Sequence, residues 1–282
     1  MKRIFKFKRL QDFEMYLKEE EKSAATIEKY IRDIKTFYEW IKDRELTKTL
    51  VLEYKAKLVD EYSPATVNSV LAALNGFFAY NEWYALKVKS LKLQRQLFCQ
   101  GEKELTKTEY EKLLKAASDK KNERLNLIMQ TICSTGIRVS ELCYVTVSAV
   151  KQGQAQVKLK GKIRIVFFTN ELCKLLKKYI QEQGIEDGCV FRTRTGRPLD
   201  RHSIWKAMKS LCESAGVSPE KVFPHNLRHL FARTFYGIQK DIVRLADILG
   251  HSSVNTTRVY TIENGNVHRQ QMCRLGLVRM NV

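Results

Sequence analysis

Little in this sequence breaks secondary structure. Only 4 of its 282 residues are proline and 13 are glycine, which excludes collagen-like and Pro/Gly-rich low-complexity chains. No apolar run approaches the roughly 18 residues of a membrane-spanning helix. The first residues, Met1-Lys2-Arg3-Ile4-Phe5-Lys6, are basic but lack the apolar stretch of a secretory signal, so a cytoplasmic protein is expected. Cysteine is scattered and odd in number: Cys99, Cys133, Cys143, Cys173, Cys189, Cys212 and Cys273. None forms a CxxC pair, so neither zinc nor redox motifs are supported. Reduced thiols filling small apolar spaces are the expectation. Acidic residues are also in short supply, 31 against 50 Lys and Arg. They form no cluster of metal-binding spacing, and no cofactor or metal is expected.

What is present is a folded, basic, helix-rich chain. Hydrophobic residues make up 44%, and the length allows two domains with sizeable cores. The net charge is +19. Residues 1–95 hold 19 basic against 14 acidic residues and the remainder 31 against 17, so both parts are positive. The charge is spread through periodic segments rather than gathered in a tail. That pattern favours a polyanion held against folded surfaces.

The first 93 residues read as a helical domain. Leu10, Phe13, Tyr16 and Leu17 recur at helical spacing, as do Ile27, Tyr30, Ile31, Ile34, Phe37, Tyr38 and Ile41. Val67, Val70, Leu71, Leu74, Phe77 and Phe78 do the same. Ser23-Ala24-Ala25-Thr26 and Ser63-Pro64-Ala65-Thr66 share one helix-start pattern, a serine N-cap with, in the second, proline at the first helical position. Four or five helices are expected. Periodicity lapses over 94–103, the expected linker. The domain from 104 to 282 opens with Thr106-Lys107-Thr108-Glu109, a capping box flanked by Leu105 and Tyr110. Alternation in Ala155–Lys160 and Lys162–Phe168 around Gly161 reads as a β-hairpin. The fold class is mainly α with a small antiparallel sheet.

Chemistry-bearing residues cluster late in the chain. His225 and Arg228 are spaced i, i+3 at a helix start, where the dipole favours an anion. Leu227, Leu230, Phe231, Thr234 and Phe235 form a stripe expected to face the core, so the polar pair is equally read as a solvated face. His251 follows Gly250 just past a helix end, where a capping histidine is the bland alternative. Tyr260 lies on a helical face with Thr256 and Thr257, where a core tyrosine is ordinary. Arg138 follows Gly136-Ile137, either a surface arginine at a helix start or a phosphate clamp, and Glu141 sits one turn on. Breaking a phosphodiester by transesterification asks for such a set. Arginine forks neutralise the growing charge, a histidine or lysine moves protons, and a phenol serves as nucleophile.

In these motifs the sequence resembles the tyrosine recombinase, or phage integrase, family. The family's T-G-x-R-x-S-E-L matches Thr135-Gly136-Ile137-Arg138-Val139-Ser140-Glu141-Leu142. Its H-x-L-R-H matches His225-Asn226-Leu227-Arg228-His229. Its L-G-H followed by tyrosine matches Leu249-Gly250-His251 and Tyr260, with Thr256-Thr257 between. The resemblance covers nearly the whole chain. It implies a helical, SAM-like core-binding domain and a catalytic domain forming a C-shaped DNA clamp. Tyr260 is then the nucleophile, Arg138 and Arg228 the phosphate clamps, His225 a phosphate contact or proton relay, and His251 a phosphate donor. Glu141 orients Arg138 or forms a structural ion pair, and His229 is read as structural.

The family's hairpin lysine, the general acid, falls on Lys160 after allowing one deletion in Leu159-Lys160-Gly161-Lys162-Ile163-Arg164-Ile165-Val166. Lys162 ranks second and Lys158 third. Phe167 stands where relatives commonly have proline, and the usual Tyr-x-His continuation is absent after Tyr260.

The implied activity is site-specific recombination through a 3′-phosphotyrosyl link and a Holliday junction, without metal or ATP. The implied partners are inverted-repeat duplex DNA and further copies of the chain, a dimer per site and a tetramer in the synapse. This places a bacterial protein on the nucleoid when bound to DNA. A type IB topoisomerase and a catalytically silent DNA-binding regulator are the alternatives. Apolar residues after Tyr260, namely Val267, Met272, Leu275, Leu277 and Val278, are expected to pack on a neighbouring copy or fold back in cis.

Overall fold

The computed structural model describes residues 8–42, 44–92, 104–159, 162–260 and 272–275, and of Leu159 and Lys162 only the backbone. The chain divides into two compact units, 1–95 and 96–282. The expected linker at 94–103 and Lys160 lie outside the described residues.

In the first unit, α1 (Lys8–Glu19), α2 (Ala24–Ile41), α3 (Lys48–Glu61) and α4 (Pro64–Tyr80) are followed by a 3-10 turn at Tyr84–Leu86. The two alike helix starts fold alike. Ser23 Oγ accepts the N–H of Thr26, and Ser63 Oγ accepts that of Thr66. Each supplies one orphan donor of a helix N-terminus with a partner. Phe13, Phe37, Phe77 and Phe78 are fully buried at the centre, each stabilising the unit by roughly 2–3 kcal/mol through lost apolar exposure. The periodicity reading did not single out α3. Its core face is Leu50, Val51, Tyr54 and Leu58, but Leu52 and Val59 on the other face are exposed and blur the stripe.

The second unit opens with α5 (Lys107–Asp119). Thr106 and Glu109 make the expected capping box, and Glu109 also pairs with Lys221 at 2.8 Å. α6 (Glu123–Thr135) runs through the core and stops at Gly136 in the left-handed region, φ 66°. A six-residue 3-10 helix, Val139–Tyr144, comes next, then α7 (Val147–Gln152). Strands β1 (Gln154–Leu159) and β2 (Lys162–Phe167) pair antiparallel, with Gln154 opposite Phe167 and Leu159 opposite Lys162. Helices α8 (Asn170–Glu182), α9 (Arg201–Lys209), α10 (Cys212–Ala215), α11 (Pro224–Gln239), α12 (Ile242–Leu249) and α13 (Val254–Thr257) complete the unit, with a 3-10 turn at Arg258–Tyr260. The class is the expected one: mainly helical, with one small antiparallel hairpin.

Two local expectations are corrected. On α11, Thr234 is exposed and Arg228 is buried, so the apolar stripe does not mark the only inward face. Near the end, Thr257 is fully buried and Tyr260 nearly so, while Thr256 is exposed. The 3-10 turn there aligns i with i+3, which pairs Thr257 with Tyr260 and turns Thr256 away.

Candidate active site

Three helix ends converge on one point: the end of α6, the end of α12 and the start of α11. Gly136 and Gly250 end their helices with positive φ, which leaves carbonyls without helical partners. Arg228 collects those carbonyls. Its Nη1 donates to Gly136 O at 2.5 Å and its Nη2 to Leu249 O at 2.7 Å. Arg228 is 2% exposed, and its pKa, lowered to about 10 by burial and then by Arg138, leaves it charged at neutral pH.

Arg228 Nη2 also meets His251 Nε2 at 3.0 Å, while His251 Nδ1 meets Thr257 Oγ1 at 2.8 Å. Arginine has no lone pair to offer, so Nε2 is the acceptor and the proton sits on Nδ1, donating to Thr257. Burial and the surrounding arginines hold His251 down at about 4.

Arg138 is anchored by Glu141. The Arg138 N–H donates to Glu141 Oε2 at 2.9 Å and Nη1 to Oε1 at 2.9 Å. Nη2 reaches Gly250 O only at 3.4 Å. Glu141 is 1% exposed. Burial pushes its pKa up, but the Arg138 N–H, Arg164 and the Arg138 side chain outweigh this and hold it below the usual range. Arg164, from β2, donates Nη2 to the same carboxylate and Nη1 to Ile248 O at 2.6 Å.

His225, His229, His251 and Tyr260 form a run of rings. The centroids of His225 and His229 are 4.3 Å apart. His229 stands edge-on to Tyr260 at 4.9 Å and 87°, and His251 lies near-parallel to Tyr260 at 6.2 Å. Desolvation followed by nearby cationic arginines lowers His225; burial, then His225 and Arg228, bring His229 down to about 4.

A cleft of about 350 Å³ opens beside Arg138, His225 and Arg228, which line it with Arg201, Trp205 and Pro224 among others. Two guanidiniums, Arg138 and Arg164, share the Glu141 carboxylate, Arg228 adds a third positive charge and the imidazoles are neutral, so the site carries excess positive charge. It is built to receive an anion.

The structure thus brings together Arg138, Glu141, His225, Arg228, His251 and Tyr260. Lys160 is not described, nor is the side chain of Lys162. Lys158 is exposed, and its carbonyl accepts the hydroxyl of Tyr144 at 2.7 Å. Sequence reasoning passed over Arg164, Arg201 and Trp205 and set His229 aside as structural. Strand alternation was the available signal for Arg164, since it shares a face with buried Val166 while Ile163, Ile165 and Phe167 point out. Nothing local marked Arg201 or Trp205, which reach the cleft only because α9 packs near α6 and α11.

Residues 103–266 match the Phage integrase family and residues 10–84 the phage integrase N-terminal SAM-like domain. The chain is 30% identical over 262 residues to tyrosine recombinase XerA of Thermococcus kodakarensis, covering 89% of each. It is 30% identical over 263 residues to tyrosine recombinase XerD of Proteus mirabilis, covering 85% of this chain and 83% of that one. Among solved structures, a lambda integrase dimer bound to a COC′ core site superposes with a TM-score of 0.73 at 20% identity, over 91% of this chain and 95% of that one. That likeness shows the fold. The chain belongs to the phage integrase family of tyrosine recombinases.

Proposed function

We propose that this chain is a site-specific DNA recombinase that cuts and rejoins strands by transesterification at Tyr260. The phenol oxygen attacks the scissile phosphorus and the bond from phosphorus to the 5′-oxygen breaks. The products are a 3′-phosphotyrosyl link and a free 5′-hydroxyl. His225, held neutral, takes the phenolic proton, and Lys160 gives the proton that the leaving 5′-oxygen needs. Arg138, Arg228 and His251 bind the non-bridging oxygens as their charge grows toward −2. Attack by a 5′-hydroxyl of a partner duplex reverses the step without ATP. Four copies acting on two inverted-repeat sites would then pass through a Holliday junction, with the protein on the chromosome of a bacterial cell.

The observation that supports this reading best is the cationic cleft lined by Arg138, Arg201, His225 and Arg228, in the unit where Tyr260 packs against His229 and His251. On this reading His251 changes its protonation state. Its Nε2 lone pair faces Arg228, so it donates to a phosphate only after Nε2 gains a proton. A bound anion favours that proton.

The test uses a nicked duplex selected for binding by the full chain from a random-sequence pool. Wild type is expected to trap a covalent, detergent-resistant adduct. Tyr260→Phe is expected to bind the duplex equally and trap none. No adduct with wild type, or an adduct that survives the Phe substitution, defeats the reading. Arg138→Ala is expected to slow adduct formation by about 10²–10³-fold, the usual loss for one oxyanion donor.

A further inference from the structure

Glu141 poses a problem for a phosphate clamp. A fully buried carboxylate bonded to Arg138 should quench the charge that Arg138 is to offer, and a carboxylate readily takes an arginine fork bidentately. The structure shows why it does not. One Glu141 oxygen receives Arg138 Nη1; the other receives the Arg138 backbone N–H and Nη2 of Arg164. Arg164 therefore occupies the position through which Arg138 would close a two-pronged pair. Among the described residues Arg138 Nη2 has only a long contact to Gly250 O, 3.4 Å, and its side chain stays 32% exposed at the cleft.

Arg164 is held there against a stability cost. Its Nε is buried with no hydrogen-bond partner among the described residues, an unfavourable arrangement for a donor removed from water. Its stem lies so close over Gly250 that a Cβ there would stand 2.5 Å from Arg164 Cδ. Gly250 thus serves both the left-handed turn and the passage of the arginine. An arrangement locally unfavourable beside a cleft points to a functional use.

We infer that Arg164 is a positioning residue that neutralises Glu141, so that Arg138 meets the scissile phosphate with its charge and second fork free. Arg164 touches neither substrate nor nucleophile; it acts through Glu141. The inference rests on the reading of Arg138 as a phosphate clamp and adds the residue that makes this clamp effective beside a buried carboxylate.

The experiment is single-turnover adduct formation on the same selected, nicked duplex, with duplex affinity and thermal midpoint measured alongside. Arg164→Met is expected to slow adduct formation by about 10–10³-fold while affinity changes little, because Arg138 is drawn onto Glu141. Arg164→Met with Glu141→Gln removes the carboxylate's charge as well, and is expected to be faster than Arg164→Met alone. A purely structural role predicts the reverse, since the double variant removes both partners of the network.

Arg164→Lys keeps the charge while losing the fork, and is expected to stay within about tenfold of wild type. This variant decides the matter should Arg164→Met not fold. An Arg164→Met rate within twofold of wild type overturns the inference, as does a double variant no faster than the single one. An Arg164→Lys loss as deep as that of Arg138→Ala overturns it too. Absence of adduct with wild type is a separate failure, that of the proposed function.

Discussion

Around Tyr260 the structure holds its imidazoles uncharged at neutral pH. His229 and His251 are held down at about 4, by burial and then by neighbouring cationic or imidazole groups. In the unfolded chain both take up protons near 6.5. Between those values the unfolded state binds more protons than the folded one. Their stabilising contribution is therefore full above about pH 6.5 and is lost as pH falls toward 4. Glu109 and Glu141, held below the ordinary carboxylate value, add loss in the same direction at lower pH. The thermal midpoint should be lower at pH 5 than at pH 7.5. His229→Phe keeps a ring against Tyr260 and removes the titration, so it should flatten that fall; an unchanged slope would contradict the account. At this scale the sequence offered types and spacings but not environments. His225 and Arg228 share a helix face set apart from the apolar stripe, so solvation was a fair reading of both. Arg228 is buried because carbonyls 92 and 21 positions away come to meet it, which no local pattern encodes. His229 meets His225 one turn away on α11, but its contact with Tyr260 depends on how the C-terminal turn packs.

Elements place these residues through their ends more than their lengths. Gly136 ends α6 at φ 66°, and a Cβ there would lie 2.5 Å from Phe231 Cδ1 and 2.9 Å from Leu249 Cδ2. Gly153 ends α7 at φ 74°, and a Cβ there would meet nothing within 4 Å among the described residues. Gly153→Ala should thus cost only the left-handed backbone strain, about 1 kcal/mol. Gly136→Ala should cost more, about 2–4 kcal/mol, because the ring of Phe231 must also move. It should displace the carbonyl that holds Arg228 as well. Denaturant unfolding of the two variants checks the difference, and equal losses would count against the role given to Gly136. Elements with strong local signals were legible: α2 and α4 from their stripes and serine caps, α5 from its capping box, and the hairpin from alternation. The signals failed where tertiary packing decided. α3 carries apolar residues on both faces. The segment after Arg138 has helical spacing but folds as a 3-10 helix, with Glu141 fastened back to the Arg138 N–H.

Across the whole molecule the charge of +19 is divided between two units that are each basic. Duplex affinity should fall steeply with salt, log K declining linearly with log of the salt concentration at a slope of about −0.9 per phosphate neutralised. Tyr260→Phe should leave that slope unchanged, since the phenol neutralises no phosphate. A shallow slope would mean that the basic surfaces are not the DNA-contacting ones. The family was legible from motif order alone, and the comparisons place the chain there independently. What no motif supplied is the charge balance among Arg138, Glu141 and Arg164, which exists only once β2, α12 and the 3-10 helix meet. The central claim is that Tyr260 becomes covalently joined to a 3′-phosphate, and mapping that bond tests it most directly. Proteolysis of the trapped adduct followed by mass spectrometry should find a nucleotide 3′-phosphate on the peptide containing Tyr260, with the released strand bearing a 5′-hydroxyl that a polynucleotide kinase labels. A bond to another residue, a 5′-phosphate link, or cut strands with no protein attached would contradict the account.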